Sequence, residues 1–458
     1  MTKYSKYFGC WRDNIENFTR RYNFVNSFLM AAISALFSII FLFYKTNFIM
    51  IIFIVAIFLF NILNWKFWIY FLAIFAVFSL FNFLNYQSLK NYADEKISGS
   101  FLVVNKFSRS IIIRYKYANI LVNYSKEISS DFKWKIRLEG NIKIIENPSN
   151  FLIGQNTFLK LENVKIFDIF PTKNFSLNIL IKKTKIAKKY LQLILLNYYD
   201  KYYESFDYLR KLNIFHYFTI SGFHFGLLYF ILNLLTKKIR SNIKHIIIFL
   251  ILLIYLVILN FQISASRAFL FILITYVNKK WLNKKFNNLS ILTMVMIINL
   301  IFNFNIVFNY SFIFSYLITI TILISINLFN FIKRYSLQYF CVTLVTYLSA
   351  LFLSMNIASE INLLGFIYQI FFLPIASFTY MFSILFFWTN HLNYWYFLGF
   401  NEFIKLIYNG AVMLKSSKNI WLMNYVISAL LLFSNEIKLL VKKTSNFKLN
   451  QSQKIIFS

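Results

Sequence analysis

Cysteine and histidine are scarce in this 458-residue chain, with Cys 2 and His 4. Cys10 and Cys341 lie far apart on different kinds of segment, so neither a disulfide framework nor a cysteine-built zinc site is available. The histidines, His216, His224, His245 and His391, form no cluster dense enough for a His/Asp metallohydrolase, and no metal or cofactor is expected. The chain also lacks a G-x-x-x-x-G-K-[ST] run, which excludes nucleotide hydrolysis by a P-loop. Acidic residues are few, 16 against 48 Lys+Arg, giving a formal charge of +32. Gly 9 and Pro 3, beside Phe 58 and Tyr 31, are also what an AT-rich genome encodes, so compositional drift is a second source of that charge.

What is abundant is apolar surface: 59% of residues are hydrophobic and the mean hydropathy is +0.60. A soluble chain of this size cannot hide so much, whereas a bilayer accepts helices that are apolar on every face. The expected architecture is a polytopic α-helical membrane protein of about 10–11 transmembrane or re-entrant helices. Residues 1–23 are polar and basic and are expected to be cytoplasmic; three spans over 24–90 then deliver the chain to the outer face.

From 95 to 170 the pattern alternates, in "SIIIRYK", "ANILVNY", "KWKIRLEGNIKIIE" and "TFLKLENVKIF", separated by "NKFS", "SKEISSD" and "NPSN". These read as half-buried strands and turns, and closure into a small barrel of the OB type would remove their exposed edges. The predicted fold therefore carries an extracytoplasmic β-barrel after the third helix. Over 97–170 its 11 Lys/Arg against 6 Asp/Glu suit either a nucleic-acid-binding barrel or a structural brace. Residues 171–212, with 9 Lys/Arg and 3 Asp/Glu, are too polar to span and predict a pair of amphipathic interfacial helices.

Apolar runs resume over 213–435, near 214–235, 246–262, 267–278, 289–308, 310–331, 338–357, 362–388 and 419–434, with a basic tail over 436–458. The loops "KKIRSNIKH", "KKWLNKK" and "KR" all fall on the cytoplasmic side if residue 213 is outside. A basic cytoplasmic tail then requires that one segment not cross. The 362–388 run, interrupted by Gly365 and Pro374, is expected to be re-entrant, with 391–418 lying in the outer interface. A kinked full span followed by a short span near 398–414 is the alternative.

The densest polar cluster inside an apolar span is "FHYFTISGFHFGLL", with His216, Thr219, Ser221, Gly222 and His224. On an unbroken helix His216 and His224 are separated by about 80° net and share a face; Gly222 beside Ser221 allows a kink. Such groups face a bundle interior or a watery path, or serve as inter-helix hydrogen bonds. A Ser221/His224 nucleophile pair is the enzymatic alternative, without an evident third orienting acid. Arg267, at the start of a run, either snorkels to the interface or offers five donors to a phosphate.

"HYFTISGFHFGLL" resembles the H-L-x-A-I-S-G-L-H-x-G-L signature of the ComEC family, the competence membrane channel for incoming DNA, in His216, Ile220, Ser221, Gly222, His224 and Gly226. "SASRAFLF" resembles its S-x-x-R-A element with Arg267 and Ala268. "YSFIFSYLITI" keeps Phe312 and Ser315 of a G-F-Q-L-S-F-x-A segment, with Ile313 in place of the glutamine. "NLLGFIYQIFFLPIAS" keeps Asn362 and Pro374 of its N-L-L-A-x-P-L…L-P element but lacks the first proline.

The resemblance implies a plasma-membrane, multi-pass channel that passes single-stranded DNA into the cytoplasm and is not itself an enzyme. His216, Ser221, Gly222, His224, Arg267, Phe312, Ser315, Asn362 and Pro374 would line the path. Membrane lipid, an external DNA receptor and a separate cytoplasmic helicase or ATPase are the implied partners, and a homo-oligomer stays open. The metallo-β-lactamase-like domain that ends many family members is expected to be absent. A membrane-embedded hydrolase using Ser221 and His224, or a small-anion permease built on Arg267, are the alternatives.

Overall fold

The computed structural model describes residues 91–107, 110–116, 118–124, 133–146, 148–172, 183–199, 203–355, 360–362, 364–411 and 413–415, with a few positions between 76 and 87. The N-terminal segment 1–23, the spans expected over 24–90, the run at 419–434 and the basic tail therefore lie outside the described residues or almost entirely so. The chain divides into two compact units: Met1–Ile179 with Ser266–Ile313, and Leu180–Ala265 with Phe314–Ser458.

In the first unit five strands close into a barrel: β1 (Lys96–Lys106), β2 (Ser110–Tyr115), β3 (Ala118–Asn123), β4 (Lys133–Ile144) and β5 (Thr157–Thr172), in the order β1-β2-β3-β5-β4. β1 closes on β4, β3 runs parallel to β5, and the other pairs are antiparallel. The alternation read from the sequence is the cause. Ile97, Ile111, Ile113, Ile120, Val122, Ile136, Leu138, Ile142, Leu159 and Leu161 turn inward and are buried, while the residues between them face out. The barrel narrows at Gly140, beside a register shift in the β4–β5 pair, where a Cβ would stand 2.3 Å from Leu161 Cδ2.

β5 extends five residues beyond its predicted end, and "NPSN" is not a plain turn. Ser149 caps a short helix, α1 (Asn150–Gly154), its Oγ accepting from the Leu152 N–H. Gln155, just past α1, is bonded by the side chains of Asn105 on β1 (2.7 Å) and Asn119 on β3 (2.6 Å), so it lies over the intervening strand β2. There Ile111, Ile112 and Ile113 are all fully buried, so both faces of β2 are covered.

The first unit also contains α8 (Asn288–Phe302) and a 3-10 turn (Phe304–Phe308). Asn156 donates to Asn303 Oδ1 (2.9 Å) and accepts from Asn305 Nδ2 (2.6 Å). A Cβ on Gly154 would meet the Phe308 carbonyl carbon at 2.8 Å. The barrel is thus fastened, backbone against backbone, to the end of α8.

The second unit is helical. α2 (Lys185–Leu196), α3 (Glu204–Lys211) and α4 (Phe215–Phe218) precede α5 (Gly222–Leu235) and α6 (Ser241–Ile258). Later come α10 (Tyr335–Met355), α11 (Gly365–Leu385) and α12 (Asn390–Asn409), and a short ribbon pairs β6 (Glu360–Asn362) with β7 (Met413–Lys415). Two helices, α7 (Ile263–Lys280) and α9 (Tyr310–Leu328), contain unit boundaries. One core joins Tyr190, Leu191 and Ile194 of α2, Phe206 and Leu209 of α3, Phe372 and Tyr380 of α11, and Phe397 and Ile404 of α12. Tyr190 stacks on Phe397 at 5.0 Å and donates to Asn401 Oδ1. The helix pair expected over 171–212 is present, and it contributes fully buried side chains to this core.

Three helical stretches among the described residues are long and apolar enough to cross a membrane: Phe215–Leu235, Tyr310–Leu328 and Gly365–Leu385. Among the described residues the barrel precedes all three, rather than following the third. The re-entrant element expected over 362–388 is not present as such. α11 is continuous through Pro374 and, at 1.5 Å per residue, spans about 30 Å, the thickness of a bilayer's hydrocarbon core. α12 buries Asn393, Phe397, Phe400 and Ile404 along one face, the Asn393 amide nitrogen donating to the carbonyls of Phe386 and Thr389, while Leu392, Trp395 and Leu406 are exposed.

Candidate functional site

The polar cluster of the first apolar span is built around a break. α4 ends at Phe218, Thr219 turns extended (φ −83°, ψ 149°), and Ser221 (φ −135°, ψ 177°) is the residue from which α5 starts. Gly222 opens α5. The break separates the two histidines instead of aligning them. His216 is exposed, whereas His224 is 1% exposed. Ser264, in the first turn of α7, donates to the carbonyl of Ile220 at 3.1 Å, which ties two of the motifs read from the sequence to one another.

His224 holds the start of α5. Its Nδ1 lies 3.2 Å from the Ser221 backbone nitrogen and 3.1 Å from Ser221 Oγ. A backbone N–H can only donate, so Nδ1 is the acceptor, and in the neutral ring the proton sits on Nε2. Nε2 is buried and has no hydrogen-bond partner among the described residues. The ring packs edge-on against Tyr380 of α11 at 4.6 Å. Next to it, Phe225 stacks on Tyr255 of α6, whose hydroxyl donates to the Leu195 carbonyl at 3.0 Å.

Asn362 repeats this arrangement at the entrance of α11. It is fully buried; its Oδ1 accepts from the Leu364 N–H at 2.9 Å, and its Nδ2 has no partner among the described residues. Immediately after it, Gly365 admits the Tyr347 hydroxyl, which a Cβ would meet at 2.7 Å. His224 and Asn362 thus use their acceptor atoms to fix a helix start and leave a donor over. A buried donor without a partner costs about 1–3 kcal/mol, so those of His224 and Asn362, like Gln192 Nε2 and Gln369 Nε2 in the same helical unit, need a reason.

The remaining predicted residues are dispersed. Pro374 is exposed on α11, where its missing N–H frees the Ile370 carbonyl. Ser315 is half-buried on α9. Arg267 and Phe312 belong to the first unit and are buried there, so Arg267 does not snorkel outward. Tyr380 and Tyr255 are not singled out by the sequence, since their hydroxyls sit in apolar runs whose periodicity says only that the helix is buried; Ser264 is the serine of the S-x-x-R-A element. Among the described residues no three His, Cys, Asp or Glu side chains gather as a metal site would require.

Chemically, the arrangement offers donors. Ser221 and His224 are close enough for a hydroxyl–imidazole pair, but the shared atom, Nδ1, already receives a backbone N–H, and the other ring nitrogen meets no carboxylate among the described residues.

No solved structure matches the chain. A stretch of 111 residues is 36% identical to an uncharacterized protein of Mycoplasma genitalium, covering 24% of this chain and 30% of that relative. Residues 204–440, just over half of the chain and including both helix starts described above, match the competence protein family. The chain belongs to the competence protein family.

Proposed function

We propose that this protein is a membrane channel that passes single-stranded DNA into the cytoplasm during DNA uptake. The observation that carries the reading is that buried donors stand without a partner among the described residues at the starts of two apolar helices: His224 Nε2 in the first turn of α5, and Asn362 Nδ2 at the end of β6, just before α11. A DNA backbone is anionic and accepts hydrogen bonds along its whole length. Neutral donors bind it without the deep trap that fixed cations would set, and a path must release what it binds. Arg267, Phe312, Ser315, His216 and Pro374 are assigned to the same path on the strength of the family motifs.

In this reading the chain is multi-pass in the plasma membrane with its N-terminus in the cytoplasm. The barrel is of the OB type and stands outside. The β1-β2-β3-β5-β4 closure with parallel β3 and β5 supports that assignment. The excess of 11 Lys/Arg over 6 Asp/Glu across 97–170 gathers the strand. An external receptor delivers DNA and a separate cytoplasmic helicase or ATPase pulls it. The chain itself performs no chemistry, a view supported by the engagement of His224 Nδ1 in the helix start rather than in activating Ser221.

Entry of labelled DNA into the cytoplasm of cells with and without this gene tests the proposal. Strand entry should depend on the gene; equal entry in both would refute it.

A further inference from the structure

The outer surface of the barrel has two kinds of charge. On one part the lysines are matched to carboxylates: Lys96 lies 2.6 Å from Glu139, Lys143 and Lys160 lie 2.8 and 2.6 Å from Glu162, and Lys116 lies 3.4 Å from Glu95. On another part the register aligns Arg114 of β2, Leu102 of β1, Lys135 of β4 and Phe170 of β5 in one row across four adjacent strands. All four are exposed, as is Val104 at the β1 bulge, and neither Arg114 nor Lys135 is ion-paired with a described carboxylate.

The position of this row narrows what it can meet. Val104 precedes Asn105 and Arg114 opposes Asn119, and these two asparagines hold Gln155 at the end of α1. Through Gly154 and Asn156, α1 is locked to residues 303–309, just past the apolar helix α8. α8 ends on Ile301 and Phe302, both exposed and apolar, as a lipid-facing helix end is. The row therefore lies beside the fastening of the barrel to an apolar helix end. Of the apolar members only Phe170 has a flat face on which a base could stack; Leu102 and Val104 have none but insert readily among acyl chains, while Arg114 and Lys135 suit headgroup phosphates.

We infer that this face of the barrel rests on the bilayer, with Leu102, Val104 and Phe170 in the interface and Arg114 and Lys135 on the phosphates of anionic phospholipids. The docking fixes the barrel's tilt at the membrane surface, and it is independent of what the helices transport.

The test uses the full chain in lipid nanodiscs, with Cys10→Ser and Cys341→Ser and one fluorescent cysteine at Leu102→Cys or Ser98→Cys. Ser98 is also exposed on β1, two rows farther from Gln155, about 13 Å along the strand. With a nitroxide on the lipid headgroup, the label at 102 should be quenched well above the label at 98. The difference should grow when phosphatidylglycerol replaces part of the phosphatidylcholine. Arg114→Ala and Lys135→Ala should each lower the docked-to-free ratio about fivefold, the effect of one cation near an anionic surface. Equal quenching at the two positions, or no response to anionic lipid and to the alanine variants, would overturn the inference. So would a label at 102 that ignores the lipid and is shielded by a single-stranded oligonucleotide, which would make the face a strand-binding one.

Discussion

The barrel and the helical unit dispose of their polar groups in opposite ways. The barrel has an aliphatic core and carries its charges outside, where most described carboxylates have a lysine within reach. The helical unit keeps many polar side chains inside and returns them to its own backbone. Thr379 and Ser383 on α11 each donate to the carbonyl four residues back, at 2.8 and 2.7 Å, as does Ser377 on its half-buried side. That is the solution imposed where water is absent. The left-over donors of His224 and Asn362 depart from that pattern, as do those of Gln192 and Gln369 and several buried oxygens of the same unit. The lesson is that in the helical unit a polar residue is informative when its hydrogen bonds do not close on its own helix.

The largest expected effect tests the barrel side of that contrast. Ile113→Ala, at a fully buried position, should destabilise the barrel by about 3 kcal/mol, read as the shift of its unfolding transition in denaturant. A loss below about 1 kcal/mol would mean that the aliphatic core is not what holds the barrel. Next in size, Ser221→Ala removes the side chain at the start of α5 and should cost about 1 kcal/mol in the helical unit, with no change in the barrel transition.

The smallest effect concerns the surface ion pairs. Hydrogen bonds from Lys143 and Lys160 lower the Glu162 carboxyl to about 2. Its folded value lies below its unfolded one, so whatever stability it supplies is present above the ordinary glutamate range and is lost as pH falls through about 2. A titration followed by carboxyl NMR should find that low midpoint, and Lys143→Met with Lys160→Met should return it to the ordinary range. An unmoved midpoint in the double variant would separate the pairs from the charge pattern.

Much of this contrast is legible in the sequence because it is periodic. The alternation of "SIIIRYK" and "ANILVNY" places β2 and β3, and the runs at 246–262, 310–331 and 338–357 become α6, α9 and α10. The short run at 267–278 becomes α7, extended at both ends. What is not legible depends on distant partners. The β6–β7 ribbon pairs residues some fifty positions apart, and nothing local in "EIN" announces a strand. Pro374 and Gly365 look like interruptions of 362–388, yet α11 is continuous through the proline, while the glycine makes room for Tyr347. In "TISGFH" the composition marks the place and allows a kink. Which histidine is buried, and which of its nitrogens is left over, is decided by the φ and ψ of Thr219 and Ser221.

The central claim is that the donor left over on His224 serves a passing strand. The most direct measurement is entry of labelled single strand into the cytoplasm of cells producing His224→Ala or Asn362→Leu at the normal membrane level. Each should lower entry by about tenfold, the worth of one good hydrogen bond at the limiting step, while the unfolding transition of the barrel stays in place. Unchanged entry in both variants would contradict the account and leave these two residues as helix starts alone.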